Sequence, residues 1–394
     1  MKILIPVLFL LIFIDASAFQ SEEGTIPTEA KPIRFSKKQI ASESYESVGV
    51  FDVNNDKVLD IVSGGFWYEG PDFRVRHSVG EAERYGEYYD DFSTIPLDVN
   101  GDGDMDFITG GWFGKKLIWK ENPGDNADAS GEWKTHLIAA AGNIESTRAW
   151  DVDGDGVPEI IPNTPKDSLV IYRLVLNSQG KGTGEFKGYG ISDEQGHGIG
   201  FGDVNGDNRG DLITPSGWLE APEKPFEDSW RFHPDFELGT ASVPILVVDV
   251  NQDGRFDLIS GQGHDYGLHW YEQPSKKMNP PEKWRKHPID LYNSQYHSMA
   301  WEDLDGDGIG ELITGKRYRA HNGKDPGGND DIGLYYFRWN GENFSKQVID
   351  YGPYGKGKGT GVYFSIADLD ENGRKDVIVA GKDGLTVYFN EGGQ

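Results

Sequence analysis

Residues 296–325 read YHSMAWEDLDGDGIGELITGKRYRAHNGKD. At their centre DLDGDGIGE, residues 303–311, places oxygen-bearing side chains at alternate positions, a glycine after the third, and an acid four residues beyond that third ligand. Short carboxylates on a tight turn, with glycine where the backbone bends sharply, are the local grammar of a calcium loop. An apolar strand-like run opening with Tyr296 and His297 enters the loop, and ELITG leaves it. Lys316, Arg317, Tyr318, Arg319 and His321 follow at once.

Working outward, the same nine-residue pattern recurs six more times. The candidate ligands are Asp52, Asn54, Asp56 and Asp60; Asp98, Asn100, Asp102 and Asp106; Asp151, Asp153, Asp155 and Glu159; and Asp203, Asn205, Asp207 and Asp211. They continue with Asp249, Asn251, Asp253 and Asp257; Asp303, Asp305, Asp307 and Glu311; and Asp368, Asp370, Asn372 and Asp376. Successive loops start 46 to 65 residues apart. Each is entered by an apolar strand and left by a β-branched one such as DIVSG, DFITG or DLISG, and two aromatic-bearing strands follow. Four short strands per period of this size read as one blade, so the expected fold is an all-β, seven-bladed β-propeller with structural calcium in its loops.

The seventh unit ends after its third strand, and FSKKQI (35–40) resembles FSKQVI (344–349), the fourth strand of unit six. The N-terminal strand is therefore expected to complete the last blade and close the ring, removing the open sheet edges. Ahead of it Lys2, the apolar run Ile3–Ile14 and Ala16-Ser17-Ala18 fit a signal peptide over residues 1–18, which predicts export to the periplasm or medium. Residues 19–394 are expected to form one propeller domain, monomeric and without a membrane anchor. With no cysteine there is no disulfide framework, so core and metal must hold the fold. The formal charge of -27 argues against nucleic acid and anionic membranes as partners. Much of that acidity sits in the loops, where calcium would offset it, so it does not by itself call for a basic ligand.

The D-x-[DN]-x-[DN]-G-x-x-[DE] units followed by [LIV]-I-x-G resemble the FG-GAP, or VCBS, repeats of integrin-type propellers. The resemblance implies that each calcium loop lies on the bottom face and that ligands bind at the opposite, top face. Six positions before each loop lies a ring of Glu46, Phe92, Glu145, His197, Val243, His297 and Val362. A structural position in a repeat should be monotonous, and this one carries two glutamates and two histidines, as a functional funnel would. Arg148 falls near it, and the ends of the second strands add His264, Lys316, Arg317, Tyr318 and His321. His77, His136, His233 and His287 instead recur behind an aromatic residue of the fourth strand and read as outer-strand packing. Trp67, Trp112 and Trp218 could stack on a sugar ring, with packing the blander reading.

This mixture suits proton abstraction beside a carboxylate. Elimination from C4 of a uronate needs a base for the C5 proton, a cation for the carboxylate and an acid for the leaving oxygen. His197 or His297 fits the base, and Tyr296 or Tyr318 the acid. Arg317, Lys316 or Arg148 fits the cation, or a catalytic divalent metal held by His264 and a neighbour such as Asp265. Glu46 and Glu145 would alternatively offer the two carboxylates of a glycoside hydrolase. The segments GHGIGFGDVNGD (196–207), GQGHDYGLHWYEQ (261–273), YHSMAWEDLDGDG (296–308) and TGKRYRAHNGKDPG (314–327) resemble the propeller domain of aldos-2-ulose dehydratases and of bacterial ulvan oligosaccharide dehydratases. That resemblance implies a carbon–oxygen lyase removing water from a sugar, the terminal uronic acid of an acidic oligosaccharide, with His197, His264 and His297 in the site. A polysaccharide lyase cleaving inside a uronate polymer would use nearly the same residues, and a non-catalytic glycan-binding propeller is the competing class.

Overall fold

The computed structural model describes residues 31–124, 127, 131–275 and 284–393, so the expected signal segment lies outside the described residues. Seven four-stranded antiparallel sheets are present, one for each repeat, and no α-helix occurs among the described residues. The fold is a seven-bladed β-propeller. Blades one to seven take their inner strands from Gly49–Phe51, Ile95–Leu97, Ser146–Trp150, Gly200–Gly202, Leu246–Val248, Tyr296–Glu302 and Ser365–Ala367. Each inner strand runs through its acidic loop into a second strand whose residues are all buried, such as Asp106–Gly110 or Asp257–Gly261. These β-branched strands are covered on both faces by neighbouring blades, which is why they read as continuous apolar runs rather than alternating ones.

Ile33–Ala41 pairs antiparallel with Gly384–Gly393 as the outer strand of blade seven, with Ser36 opposite Phe389. First and last repeats also meet at the axis, where Ser47 bridges Tyr363.

The loops are shaped by their own side chains. Asp52 accepts from the backbone N–H groups of Asp56 and Lys57 at 3.1 and 2.8 Å, and Asp303 from those of Gly306 and Gly308 at 2.7 and 2.9 Å. The ninth-position acid turns inward. Asp60 accepts from Val53 N–H and Gly70 N–H, both at 2.8 Å, and so pins the loop to the third strand; Asp106, Asp211 and Asp376 do the same. Burial raises these acids, Asp60 and Asp211 to about 6 and Asp106 to about 7. Where position three is aspartate, in blades three, six and seven, the first, third and ninth carboxylates come within 4.8 Å of one another and could hold an ion. Elsewhere position three is Asn54, Asn100, Asn205 or Asn251, a neutral side chain.

The outer-strand histidines are packing residues. His77, His136, His233 and His287 stack on Trp67, Trp119, Trp218 and Trp270 at 4.1 to 4.4 Å between ring centres. Each also bonds a glutamate of the third strand or its end: Glu69, Glu121, Glu220 and Glu272. Four blades thus share one Trp–His–Glu bracket.

Candidate active site

Strand geometry brings the ring residues to the axis. Glu145 and His197 stand just ahead of the inner strands of blades three and four, His297 near the start of that of blade six, and His264 just past the second strand of blade five. The hairpin joining inner and second strands returns the end of the second strand to the level where the first began, so the four meet. Glu145 Oε1 lies 3.2 Å from His197 Nε2, 3.3 Å from His264 Nε2 and 3.2 Å from His297 Nε2. His197 and His264 approach each other to 2.9 Å through the same nitrogens. These four ligand atoms lie within 4.8 Å of one another and could hold a metal ion.

The other ring nitrogens decide what these atoms carry. His197 Nδ1 lies 2.8 Å from the Ala241 carbonyl, and His264 Nδ1 lies 2.8 Å from Asp325 Oδ2. Both oxygens accept, so both Nδ1 atoms hold hydrogen and both Nε2 atoms are left to turn a lone pair inward toward a cation. Lone pairs of two imidazoles and a carboxylate facing one point repel one another unless a metal ion or a shared proton sits among them. His297 is fully buried, and burial drives its pKa well below the usual histidine value, so it is neutral. Burial pushes the Glu145 carboxyl up, but the three histidine rings set against its Oε1 outweigh it and hold its pKa well below the usual carboxylate range, so it stays ionised. Three imidazole nitrogens and one carboxylate, with second partners already orienting two of the rings, fit a divalent ion of the zinc or manganese kind.

A charged chain continues from Glu145. Arg317 Nη1 lies 3.2 Å from Glu145, its Nε 3.2 Å from Glu46 Oε1, and Lys382 Nζ 3.1 Å from Glu46 Oε2. All four side chains are at least nine-tenths buried. Burial raises the Glu46 carboxyl, yet Lys382 and Arg317 bring its pKa below the ordinary value, so it stays ionised. With Glu46 tied at both oxygens, no protonated carboxyl faces Glu145 in the manner of a glycoside hydrolase pair.

On the other side Asp325 holds two histidines. His321 Nδ1 lies 2.8 Å from Asp325 Oδ1, and the His321 and His264 rings stack at 4.4 Å. The His321 side chain is 60% exposed. Its loop is strained: Arg319, His321 and Asn322 have φ of 54°, 48° and 58°, the left-handed region that non-glycine residues avoid. What secures it is a hairpin between blades one and two (Arg84–Tyr85 with Tyr88–Tyr89). The Tyr88 hydroxyl accepts from Asn322 N–H at 2.8 Å, and Glu87 pairs with Arg319 at 2.7 and 3.0 Å. Between these parts lies a cavity of about 180 Å³ lined by Tyr88, Phe92, Trp112, Phe113, Glu145, Arg317, His321 and Asn322.

Several sequence expectations need correction. Tyr296 points away from His297, as successive strand residues must: fully buried, its hydroxyl donates to Asp290 at 2.8 Å, so it is no acid for the funnel. Lys316 donates to Ser294 Oγ at 2.7 Å and to the Gly327 carbonyl, bracing the loop rather than meeting a carboxylate. Burial lowers it to about 8. Arg148 bonds the Val243 carbonyl and Ser298 and lies over Tyr363, bracing the channel between blades. Tyr318 stacks on Tyr354 outside the histidine cluster. Asp265 is exposed and caps Tyr266 N–H, so Asp325 and Glu145 take the place expected for it beside His264. Of the three tryptophans considered for sugar stacking, Trp112 lines the cavity, while Trp67 and Trp218 pack on histidines. Sequence reasoning missed Asp325 and Lys382. Lys382 follows Gly381 as Lys316 follows Gly315, a signal present in the repeat; Asp325 lies in a loop where no periodicity exists to place it.

The chain is thus a seven-bladed propeller carrying FG-GAP-like repeats with a histidine-rich centre at the funnel mouth. The FG-GAP-like repeat family matches residues 98–161 and 226–314. No curated protein matches significantly in sequence. Among solved structures, the exotype rhamnogalacturonan lyase YesX aligns over 92% of this chain and 75% of its own, with TM-score 0.50 and 14% identity. BBS1N, in its complex with ARL6DN, aligns over 91% and 96% with TM-score 0.52 and 10% identity. At such identities the likeness is one of fold.

Proposed function

We propose that this protein is a metal-dependent carbon–oxygen lyase that eliminates water from a sugar, the terminal uronic acid of an acidic oligosaccharide such as an ulvan fragment. The observation that carries the reading is the convergence of His197, His264 and His297 Nε2 with Glu145 Oε1 beside a sugar-sized cavity. Fold alone cannot choose, since one fold neighbour is a lyase and another is seen in a protein complex. A pure binding module has little need of four titratable groups at its centre.

Bound there, a divalent ion would supply Lewis-acid stabilisation for the charge that develops on the substrate carboxylate as the C5 proton leaves. Glu145 and the three histidines would hold the ion, and Arg317 fixes Glu145. His321 is then the histidine of the cavity outside the Glu145 cluster and available for proton transfer: Asp325 accepts its Nδ1–H, which leaves Nε2 as the acceptor atom, and the residue lines the cavity. The Tyr88 hydroxyl, kept protonated because burial raises its pKa, belongs to a residue lining the same cavity; it donates to the Arg319 carbonyl at 3.3 Å and would release that long bond to serve as the acid for the leaving oxygen. Calcium in the acidic loops, export by the N-terminal segment and a monomeric state belong to the same reading.

The second reading is a polysaccharide lyase, in which the leaving group is the next sugar. Product mass separates the two: loss of one water from an intact oligosaccharide supports the dehydratase, and chain shortening with new unsaturated ends supports the lyase.

A further inference from the structure

A second cavity, of about 380 Å³, is lined by Arg84, Glu87, Tyr318, Arg319, Tyr354 and Lys382 among others. Tyr88 and Lys382 link the two cavities. The Tyr88 ring lines the first cavity, and Lys382 Nζ, which lines the second, sits 4.1 Å from that ring's centre. Tyr318 and Tyr354 stack at 5.1 Å and 16°, and Tyr354 is 58% exposed. Its hydroxyl donates to the Lys382 carbonyl at 3.1 Å, which fixes the pair to the floor. Three cations meet here on a chain of formal charge -27. Lys382 and Arg319 are spoken for by Glu46 and Glu87. Arg84 has no carboxylate: its Nε donates to Gly86 O at 3.0 Å, its guanidinium lies 5.5 Å from the Tyr89 ring centre, and its terminal nitrogens meet no hydrogen-bond acceptor among the described residues.

We infer that this second cavity is a subsite for an anionic sugar, with Arg84 pairing its sulfate ester or carboxylate and the Tyr318–Tyr354 pair meeting the apolar face of its ring. A free guanidinium fork matches either anion by two parallel hydrogen bonds. A fixed, partly exposed aromatic pair presents a flat apolar surface, and the Tyr354 hydroxyl is already bonded. The inference rests on the reading that the protein acts on acidic oligosaccharides, and it adds where a second acidic residue is recognised.

The test is calorimetric titration of the full-length protein with a sulfated uronate tetrasaccharide cut from ulvan, its desulfated form and its carboxyl-reduced form, with turnover followed alongside. Arg84→Ala and Tyr354→Ala should each weaken binding of the parent tetrasaccharide about tenfold, the scale of one charge-assisted hydrogen bond. Whichever of the two modified sugars lacks the anion that Arg84 reads should show the same loss on wild type and no further loss on Arg84→Ala. Turnover by wild type with unchanged binding by both variants would overturn the subsite alone. Failure of wild type to bind any of the three sugars would overturn the subsite together with the functional reading.

Discussion

His197 Nε2 and His264 Nε2 lie 2.9 Å apart, while Ala241 and Asp325 hold the hydrogen of each ring on the opposite nitrogen. Such an approach is stable with a cation between the rings. Elemental analysis of purified protein should therefore find about one zinc- or manganese-class ion per chain beyond any calcium, lost in His297→Ala. Asp325→Asn, which keeps shape but weakens the orienting acceptor, should lower affinity for that ion about 10- to 100-fold. A protein that takes up no transition metal on dialysis would contradict this centre.

His321 shares Asp325 with His264 but offers no ligand atom to the Glu145 cluster. His321→Ala should reduce turnover by about 10²- to 10⁴-fold while metal content and melting temperature stay near wild type. Loss of the metal in that variant would instead make His321 a ligand.

Tyr296 supports the blade, not the chemistry. Tyr296→Phe should preserve activity and cost about 1–2 kcal/mol in chemical denaturation, because Asp290 loses one buried donor but keeps Lys346 at 2.5 Å. A tenfold fall in turnover would return Tyr296 to the site.

The ninth-position acids make stability depend on pH. Burial raises Asp60, Asp211, Asp257 and Asp376 to about 6 and Asp106, Glu159 and Glu311 to about 7. A raised acid binds its proton more tightly folded than unfolded, so its contribution is complete below the unfolded pKa near 4 and is lost as pH rises through 6 to 7. In chelator the melting temperature should fall between pH 5 and pH 7.5, and calcium should restore it at the higher pH by binding the ionised loops. A melt indifferent to both would mean the loops neither titrate nor bind.

The blades were legible because the acidic loop recurs with little change and each copy is framed by the same strands. The centre was legible to the extent that it obeys the repeat: Glu145 and His297 occupy one ring position, and departure from apolar monotony marks them. The expectation failed at Tyr296 because alternation along a strand sends neighbours to opposite faces, a rule that places His297 inward and Tyr296 into the blade. Lys316 and Arg317 divide in the same way. Asp325 and the clasp between Glu87 and Arg319 were hidden because both lie in insertions whose path is set by left-handed residues and long-range contacts, neither of which leaves a period.

The most direct test of the proposed elimination follows product mass when uronate-terminated oligosaccharides meet metal-loaded protein, chelated protein and His297→Ala. The account predicts loss of one water with a new unsaturated sugar from the loaded protein, and no product from the other two. Unchanged sugars across an acidic panel, or the same product from chelated protein and from His297→Ala, would contradict it.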